Sequence, residues 1–145
     1  MIADPTWGLL EWLKGVSVGT LTLRATTTPS PQHRPRVGQH GTYYPKAYQI
    51  YHADCQKQFA AQAPKKPFTG LLACVVETVC KRPKKTKLLA PRGDSDNYAK
   101  APLDAATKAG IYGDDAQVLP QTSVRRWAEP DEEPGVYLHI GELPT

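Results

Sequence analysis

The segment FTGLLACVVETVCK, residues 68–81, decides the fold. It is apolar over most of its length, is rich in β-branched side chains, and lies between Pro67 and Pro83. Continuous apolar runs of this length are typical of strands that are covered on both faces of a sheet. We therefore predict a central β-strand here, in which Glu77 is the one charge that looks buried.

The residues that follow this strand predict a helix over 96–109. Asp94, Ser95 and Asp96 offer oxygens that can cap its first turn, and Gly110 suits the position just after its last turn. Pro102 falls inside this helix, where it should kink the helix or remove a hydrogen bond.

Three further strands and a second helix are expected around this unit. Residues 16–27 favour a strand, and residues 117–127 and 135–141 favour two strands that pair antiparallel. Proline at position 45 is typical of a first helical turn, and it opens a predicted helix over residues 45–62. The apolar stripe of that helix recurs every four residues, with Ile50 alongside: Ala47, Tyr51, Cys55 and Phe59.

These elements predict an α+β protein with a small mixed β-sheet and two main helices in a single domain, residues 16–145. A chain of 145 residues is long enough for one modest core. Residues 1–15 are interpreted as an N-terminal extension, in which Leu9, Leu10 and Leu13 have helical spacing. The extension could pack on the body of the protein or on a partner.

The composition points to the cytoplasm. No apolar run approaches the about 18–20 residues that cross a bilayer, and the first residues lack the features of a signal peptide. Cys55, Cys74 and Cys80 are odd in number and show no C-x-x-C spacing, which argues against a disulfide framework or a zinc site. We interpret all three as small buried apolar side chains.

Charge is divided unevenly along the chain, although the net charge is only +4. Up to Gly93 there are 14 basic and 4 acidic residues, whereas the remainder has 4 basic and 10 acidic residues. A basic surface attracts polyanions, so this asymmetry is compatible with DNA binding, but a solvated basic face with an acidic tail would look the same. The candidate phosphate contacts are Arg34, Arg36, Lys46, Lys81, Arg82, Lys84, Lys85 and Lys87.

The chemistry is concentrated in RGDSDNYAK, residues 92–100, and GIYGDDAQV, residues 110–118. Asp94 and Asp96 are two apart, and Asp96 and Lys100 lie four apart on one helix face. Asp114 and Asp115 return after the helix, so the acids meet if the helix and the next strand are adjacent. Clustered carboxylates need a neutralising charge, and hard oxygen ligands suit Mg²⁺ or Mn²⁺. These residues therefore supply the side chains that the active site of a metal-dependent nuclease requires.

Other interpretations of the acidic segment compete with a metal site. Isolated Asp-x-Asp pairs are usually caps or turns. A calcium loop fails, because its glycine position falls on Ala99 and its terminal glutamate position on Ala105. A nucleotide-sugar transferase can use Asp-x-Asp, but this chain looks too short for that fold.

The segment resembles the RusA family of Holliday-junction resolvases. The similarity runs without a gap over residues 92–118 and rests on DSDN at 94–97, Lys100, DA at 104–105, KAG at 108–110 and DDAQV at 114–118. A weaker similarity covers RPRV at 34–37 and YYPK at 43–46, and the whole extends over roughly residues 18–142.

The resemblance implies a small α+β homodimer that cleaves branched DNA with Mg²⁺ or Mn²⁺. It implies that Asp94, Asp96 and Asp115 are the catalytic, metal-binding aspartates and that Lys100 is the functional lysine. Asp114 and Asn97 lie beside this set in supporting roles. The alternatives are a less selective nuclease of flaps and forks, with identical residues, and a DNA-junction-binding protein without catalysis.

Overall fold

A computed structural model describes residues 4–32 and 36–145. Its three helices are α1 (Leu9–Val16), α2 (Lys46–Ala61) and α3 (Ser95–Lys108), and a 3₁₀ turn spans Asp115–Gln117. Its six strands are β1 (Gly19–Thr26), β2 (Arg36–Gly38), β3 (Gly41–Tyr43), β4 (Leu72–Cys80), β5 (Val118–Trp127) and β6 (Gly135–Glu142). The predicted α+β fold with a mixed sheet is confirmed.

The main sheet has the strand order β1-β6-β4-β5. The predicted central strand is confirmed, since eight of the nine residues of β4 are buried. The predicted antiparallel pairing of residues 117–127 with 135–141 is wrong: β4 lies between them, antiparallel to β6 and parallel to β5. The physical reason is burial, because the most apolar strand gains most from neighbours on both edges.

Two layers cover the sheet unequally. Helices α2 and α3 pack on one face, where Leu23, Val76 and Leu138 belong to the main core. On the other face, Leu13 of α1 packs against Ala73 and Val75. The N-terminal helix therefore packs on the body of the protein.

The buried stripe of α2 differs from the predicted one at its first turn. Tyr51, Cys55 and Phe59 are buried as expected, but Tyr48 takes the place of Ala47, which is exposed together with Ile50. An α-helix has 3.6 residues per turn, so three turns span about 11 residues and not 12. Counting back from Phe59, the buried position in the first turn is therefore Tyr48 and not Ala47.

The interior proline of α3 is accommodated by a contact from α2. The helix continues through Pro102, which has no N–H to give to the carbonyl oxygen of Tyr98 one turn earlier. The hydroxyl of the buried Tyr51 donates a hydrogen bond of 3.0 Å to that oxygen instead. The hydrogen bond that Pro102 removes from the helix is thus replaced from the neighbouring helix.

The basic, proline-rich segment at residues 29–37 leads into a short strand. β2 pairs antiparallel with β3 in a separate two-stranded sheet, and Gly41 has a φ of 114°, a left-handed conformation that favours glycine. Helix α2 begins at Lys46, and two residues separate it from the end of β3. No helix in the described ranges, 4–32 and 36–145, is long and apolar enough to cross a membrane.

Candidate active site along helix α3

One side of α3 carries most of the predicted chemistry. Asp96, Lys100, Asp104 and Thr107 follow one another at helical spacing and are exposed or half-buried. The opposite side, with Tyr98, Ala101 and Ala105 among its members, is buried against the sheet and α2. Packing of the apolar side therefore aims the polar side at solvent.

The first predicted carboxylates lie where α3 begins. The side chain of Asp94 caps the helix by accepting a hydrogen bond of 3.0 Å from the backbone N–H of Asp96, and both side chains are exposed. Gly93, with a φ of 104°, provides the turn into the cap. Arg125 of β5 fastens this end by donating to the carbonyl oxygen of Pro91 and to Oγ of Ser95.

Asn97 also belongs to this end of the helix. Its carbonyl oxygen accepts a hydrogen bond of 2.9 Å from the backbone N–H of Gln32, and its side chain is half-buried. This contact joins the start of α3 to the segment that precedes β2. A supporting role for Asn97 remains a prediction.

The second carboxylates lie at the other end of α3. Oδ1 of Asp115 accepts a hydrogen bond of 2.7 Å from the hydroxyl of Thr107, in the last turn of the helix. The Asp114 side chain caps the following 3₁₀ turn, where Gln117 completes a reciprocal capping box. Both aspartates are exposed. The chain thus presents Asp115 outward while Asp114 organises its backbone.

A single chain does not bring these two carboxylate groups together. Thr107 lies eleven positions after Asp96, and at about 1.5 Å per residue the helix places their Cα atoms about 16.5 Å apart. Two oxygens that ligate one Mg²⁺ at about 2.1 Å lie only a few ångströms from each other. In keeping with this, no three acidic, histidine or cysteine side chains among the described residues converge on a metal position.

Lys100 and Asp115 nevertheless share one pocket of about 370 Å³ between α3 and the start of β5. Asp104 lines the same pocket, and its Oδ2 lies 2.6 Å from Nε2 of His52 and 3.1 Å from Nζ of Lys108. Burial opposes ionisation of Asp104, but the hydrogen bonds from His52 and Lys108 outweigh it and keep its pKa below the ordinary value. Asp104 therefore stays negative beside Lys100.

The basic residues have three different placements. Lys81, Arg82, Lys84, Lys85 and Lys87 are all exposed in the basic loop, residues 81–94, which joins β4 to α3. Lys46 is exposed at the start of α2. The backbone of Arg36 opens β2, and Arg34 lies outside the described residues. The basic loop therefore supplies cations at the Asp94 end of the helix.

Sequence reasoning missed the residues that support this site. Thr107 lies on the same helix face as Asp96, so a helical projection could have found it. Nothing local signals that His52 would meet Asp104, because the two belong to different helices and are 52 positions apart. The cysteines behave as predicted at Cys55 and Cys74, which are buried, while Cys80 is half-buried.

Comparison with known proteins adds one finding. The family described as Endodeoxyribonuclease RusA matches residues 26–141, which is most of the chain and includes every residue of the polar side of α3. No curated protein matches the sequence. Members of this family are nucleases that act on Holliday-junction DNA. Since this match covers most of the chain, the protein belongs to the RusA endodeoxyribonuclease family.

Proposed function

We propose that this protein is a Mg²⁺-dependent endonuclease that resolves Holliday junctions by paired phosphodiester hydrolysis, in DNA recombination and repair. The observation that supports it most is that four side chains of the family-matching region are exposed around α3: Asp94 at its cap, Asp96 and Lys100 on its polar side, and Asp115 beside its last turn. We also propose that the protein acts in the cytoplasm, because its proposed substrate is DNA.

The proposed metal ligands have the right chemistry for Mg²⁺ or Mn²⁺. Asp94, Asp96 and Asp115 offer hard carboxylate oxygens, and among the described residues none of the three is engaged in an ion pair. A bound divalent cation supplies a Lewis acid that lowers the pKa of water and stabilises charge on the phosphoryl group. The chain has the donors for such an ion, but it holds them at two ends of one helix.

A homodimer resolves that separation. If the Asp94 end of one protomer lies beside the Asp115 end of the other, a two-fold axis completes two identical carboxylate sets at once. The same symmetry presents two sites to opposite arms of a junction, from which paired nicks follow. We therefore propose that each metal site is shared between protomers.

The other residues of the site have separable tasks in this proposal. Thr107 orients the Asp115 carboxylate, and the capping box of Asp114 holds the turn behind it. Lys100 places a positive charge near the scissile phosphate, where negative charge develops during hydrolysis. Lys46, Arg34, Arg36 and the basic loop bind flanking phosphates, which position the DNA without reading its sequence.

The test is cleavage of labelled four-way junction, fork, flap and linear duplex, each with Mg²⁺ and with EDTA. The wild-type chain should make symmetric nicks in the junction only with metal, and Asp96→Asn should lose at least about a hundredfold in rate because a metal ligand is removed. Glu11→Gln, at an exposed acidic residue of α1 on the other face of the sheet, is the control and should cut normally. Full cleavage by Asp96→Asn would refute the site.

The same substrate panel separates the alternatives. Equal cutting of forks and flaps would indicate a less selective branched-DNA nuclease with the same residues. Tight junction binding without any metal-dependent product would indicate a DNA-binding protein without catalysis. Cleavage that is restricted to the four-way junction would support resolution of Holliday junctions.

A further inference from the structure

A larger pocket, of about 820 Å³, lies under the basic loop and is separate from the pocket that contains Asp115. Its volume lies within the range of about 300–1,000 Å³ that is typical of sites for small organic groups. The less exposed part of its lining is apolar and aromatic, with Pro91 and Tyr98 buried and Trp127 half-buried. This interior suits a flat, apolar ligand surface.

The rim of this pocket is cationic. Lys81, Lys85, Lys87 and Arg92 line it and are exposed. None of the four forms an ion pair within residues 4–32 and 36–145, so their charges are available to a ligand. An aromatic interior with a positive rim is the combination that binds single-stranded nucleic acid, by stacking of bases and attraction of phosphates.

The two sides of the pocket differ in charge, and this difference orients a bound strand. On the side of Lys81 and Arg82 stands an acidic loop that contains Glu129, Asp131 and Glu133. A phosphate backbone is repelled there and is favoured along Lys85, Lys87 and Arg92, which lead towards Asp94. The charges thus point a bound strand towards the start of α3.

Hydrogen bonds fix the aromatic side chains in place before any ligand binds. Nε1–H of Trp127 donates to the carbonyl oxygen of Leu88 at 2.9 Å, and the hydroxyl of Tyr98 donates to the carbonyl oxygen of Arg92 at 2.9 Å. Both acceptors belong to the basic loop. The same contacts that orient the rings therefore hold the cationic rim over them, which lowers the ordering cost of binding.

We propose that this pocket binds one unstacked nucleobase of the DNA substrate, displaced from the helix near the branch point, while Lys85, Lys87 and Arg92 hold its flanking phosphates. The proposal rests on the proposed nuclease function and adds a specificity site to it. Branch points leave bases unstacked more readily than intact duplex does, so such a pocket would favour branched over linear DNA.

The first experiment compares two labelled single strands in EDTA, so that cleavage plays no part. One is a dodecamer of thymidines, and the other has the same length but carries an abasic site at every position. Stacking of one base on an aromatic side chain should make the wild-type chain prefer the thymidine strand about tenfold by fluorescence anisotropy. Equal affinity for the two strands would overturn the proposal.

Variants assign the preference to the pocket. Trp127→Leu should remove it, and Trp127→Phe should retain most of it because an aromatic face remains. Trp12→Leu is the matched control, since Trp12 lies on α1 across the sheet, and it should behave as the wild type. The double variant Lys85→Gln and Lys87→Gln should weaken both strands equally and flatten the salt dependence.

The outcomes separate this proposal from the proposed function. A base preference that survives in a Trp127→Leu variant with the wild-type circular-dichroism spectrum would refute the pocket but leave junction cleavage untouched. A base preference with no metal-dependent cleavage of any branched substrate would refute the nuclease and retain the pocket. If Trp127→Leu does not fold, the wild-type comparison of the two strands still decides.

Discussion

Pro102 creates a need for a hydrogen-bond donor inside α3, and Tyr51 of α2 meets that need. The proline leaves the Tyr98 carbonyl oxygen without its helical donor, and the Tyr51 hydroxyl, fully buried, supplies one. Burial raises the pKa of Tyr51 well above its ordinary value, so the hydroxyl keeps its proton and can donate. From the sequence alone, Pro102 predicts a lost hydrogen bond, because the donor that replaces it belongs to another helix.

This pairing predicts a non-additive effect on stability. Tyr51→Phe should cost about 1–3 kcal/mol in the free energy of unfolding, because it leaves a buried carbonyl oxygen without a donor. In a Pro102→Ala background the helix regains its own N–H, so the same substitution should cost less by about 1 kcal/mol or more. Urea denaturation of the four proteins measures this coupling, and equal costs in the two backgrounds would show that the pairing has no energetic role.

Thr107 predicts a change in metal affinity. Thr107→Val removes the hydroxyl that orients Asp115, and loss of such an orienting contact typically weakens metal binding about 10- to 100-fold. We expect the Mg²⁺ concentration for half-maximal junction cleavage to rise by that factor, while the rate at saturating Mg²⁺ changes little. Thr107→Ser keeps the hydroxyl and should resemble the wild type. A Thr107→Val profile identical to that of the wild type would contradict this role.

Glu132 predicts how the protein responds to acid. The guanidinium of Arg126 binds its carboxylate bidentately and, against a smaller effect of burial, lowers the pKa of Glu132 to about 2. An acid whose pKa is lowered by folding stabilises the fold fully above its ordinary value of 4.5, and that contribution is lost as the pH falls from 4.5 towards 2. Glu132→Gln should therefore lose less stability over this interval than the wild type, as followed by thermal unfolding at several pH values.

The control for this prediction is the neighbouring Glu133→Gln, at an exposed position. It should leave the slope of stability against pH near the wild-type slope. If both variants changed the slope equally, the effect would come from net charge and not from the contact with Arg126. The buried Glu77, which also accepts from Arg126, remains intact in both proteins.

At the scale of elements, apolar patterning predicted which segments become helices and strands, but not which strands pair. The run in β4 was long and apolar enough to require cover on both faces, and that alone places it inside the sheet. Whether β5 pairs with β4 or with β6 depends on where α3 returns the chain, since a strand, a helix and a second strand form a parallel crossover. The separate pairing of β2 with β3 depends on a short turn and lacks an apolar signal.

We predict that helix α1, in the segment interpreted as an N-terminal extension, contributes to the stability of the domain. Leu13 is almost fully buried against Ala73 and Val75, so Leu13→Ala should cost about 2–4 kcal/mol in the free energy of unfolding. Leu10→Ala, at a partly buried position of the same helix, should cost clearly less. Denaturant titration distinguishes the two. No loss in Leu13→Ala would show that α1 contributes little to the stability of the domain.

At the scale of the whole molecule, the sequence singled out the candidate residues of the site but not the distance between them. The spacing of Asp94, Asp96 and Lys100 is local, so helical periodicity was sufficient for it. The distance to Asp115 depends on α3 remaining helical over its whole length, which carries the chain away from Asp96 before it turns back. That the basic loop lies over Trp127 depends on a contact between residues 39 positions apart, which no local pattern reveals.

Sharing of each site between protomers predicts complementation between two inactive proteins. In a mixed dimer of Asp96→Asn and Asp115→Asn, one site receives both substitutions and the other receives neither. With free exchange half of the dimers are mixed and each has one intact site, so nicking should recover to about a quarter of the wild-type rate. The junction should be nicked on one arm but not resolved, because each mixed dimer cuts once.

The matched control mixes Asp94→Asn with Asp96→Asn, two changes at the same end of α3. Both sites of that mixed dimer keep one substitution, so no activity should return. Exchange of subunits is verified in both mixtures with differently tagged chains. If exchange occurs and the Asp96→Asn and Asp115→Asn mixture stays inactive, the carboxylates are not shared, and Asp115 must reach Asp94 and Asp96 within one chain through a rearrangement of α3.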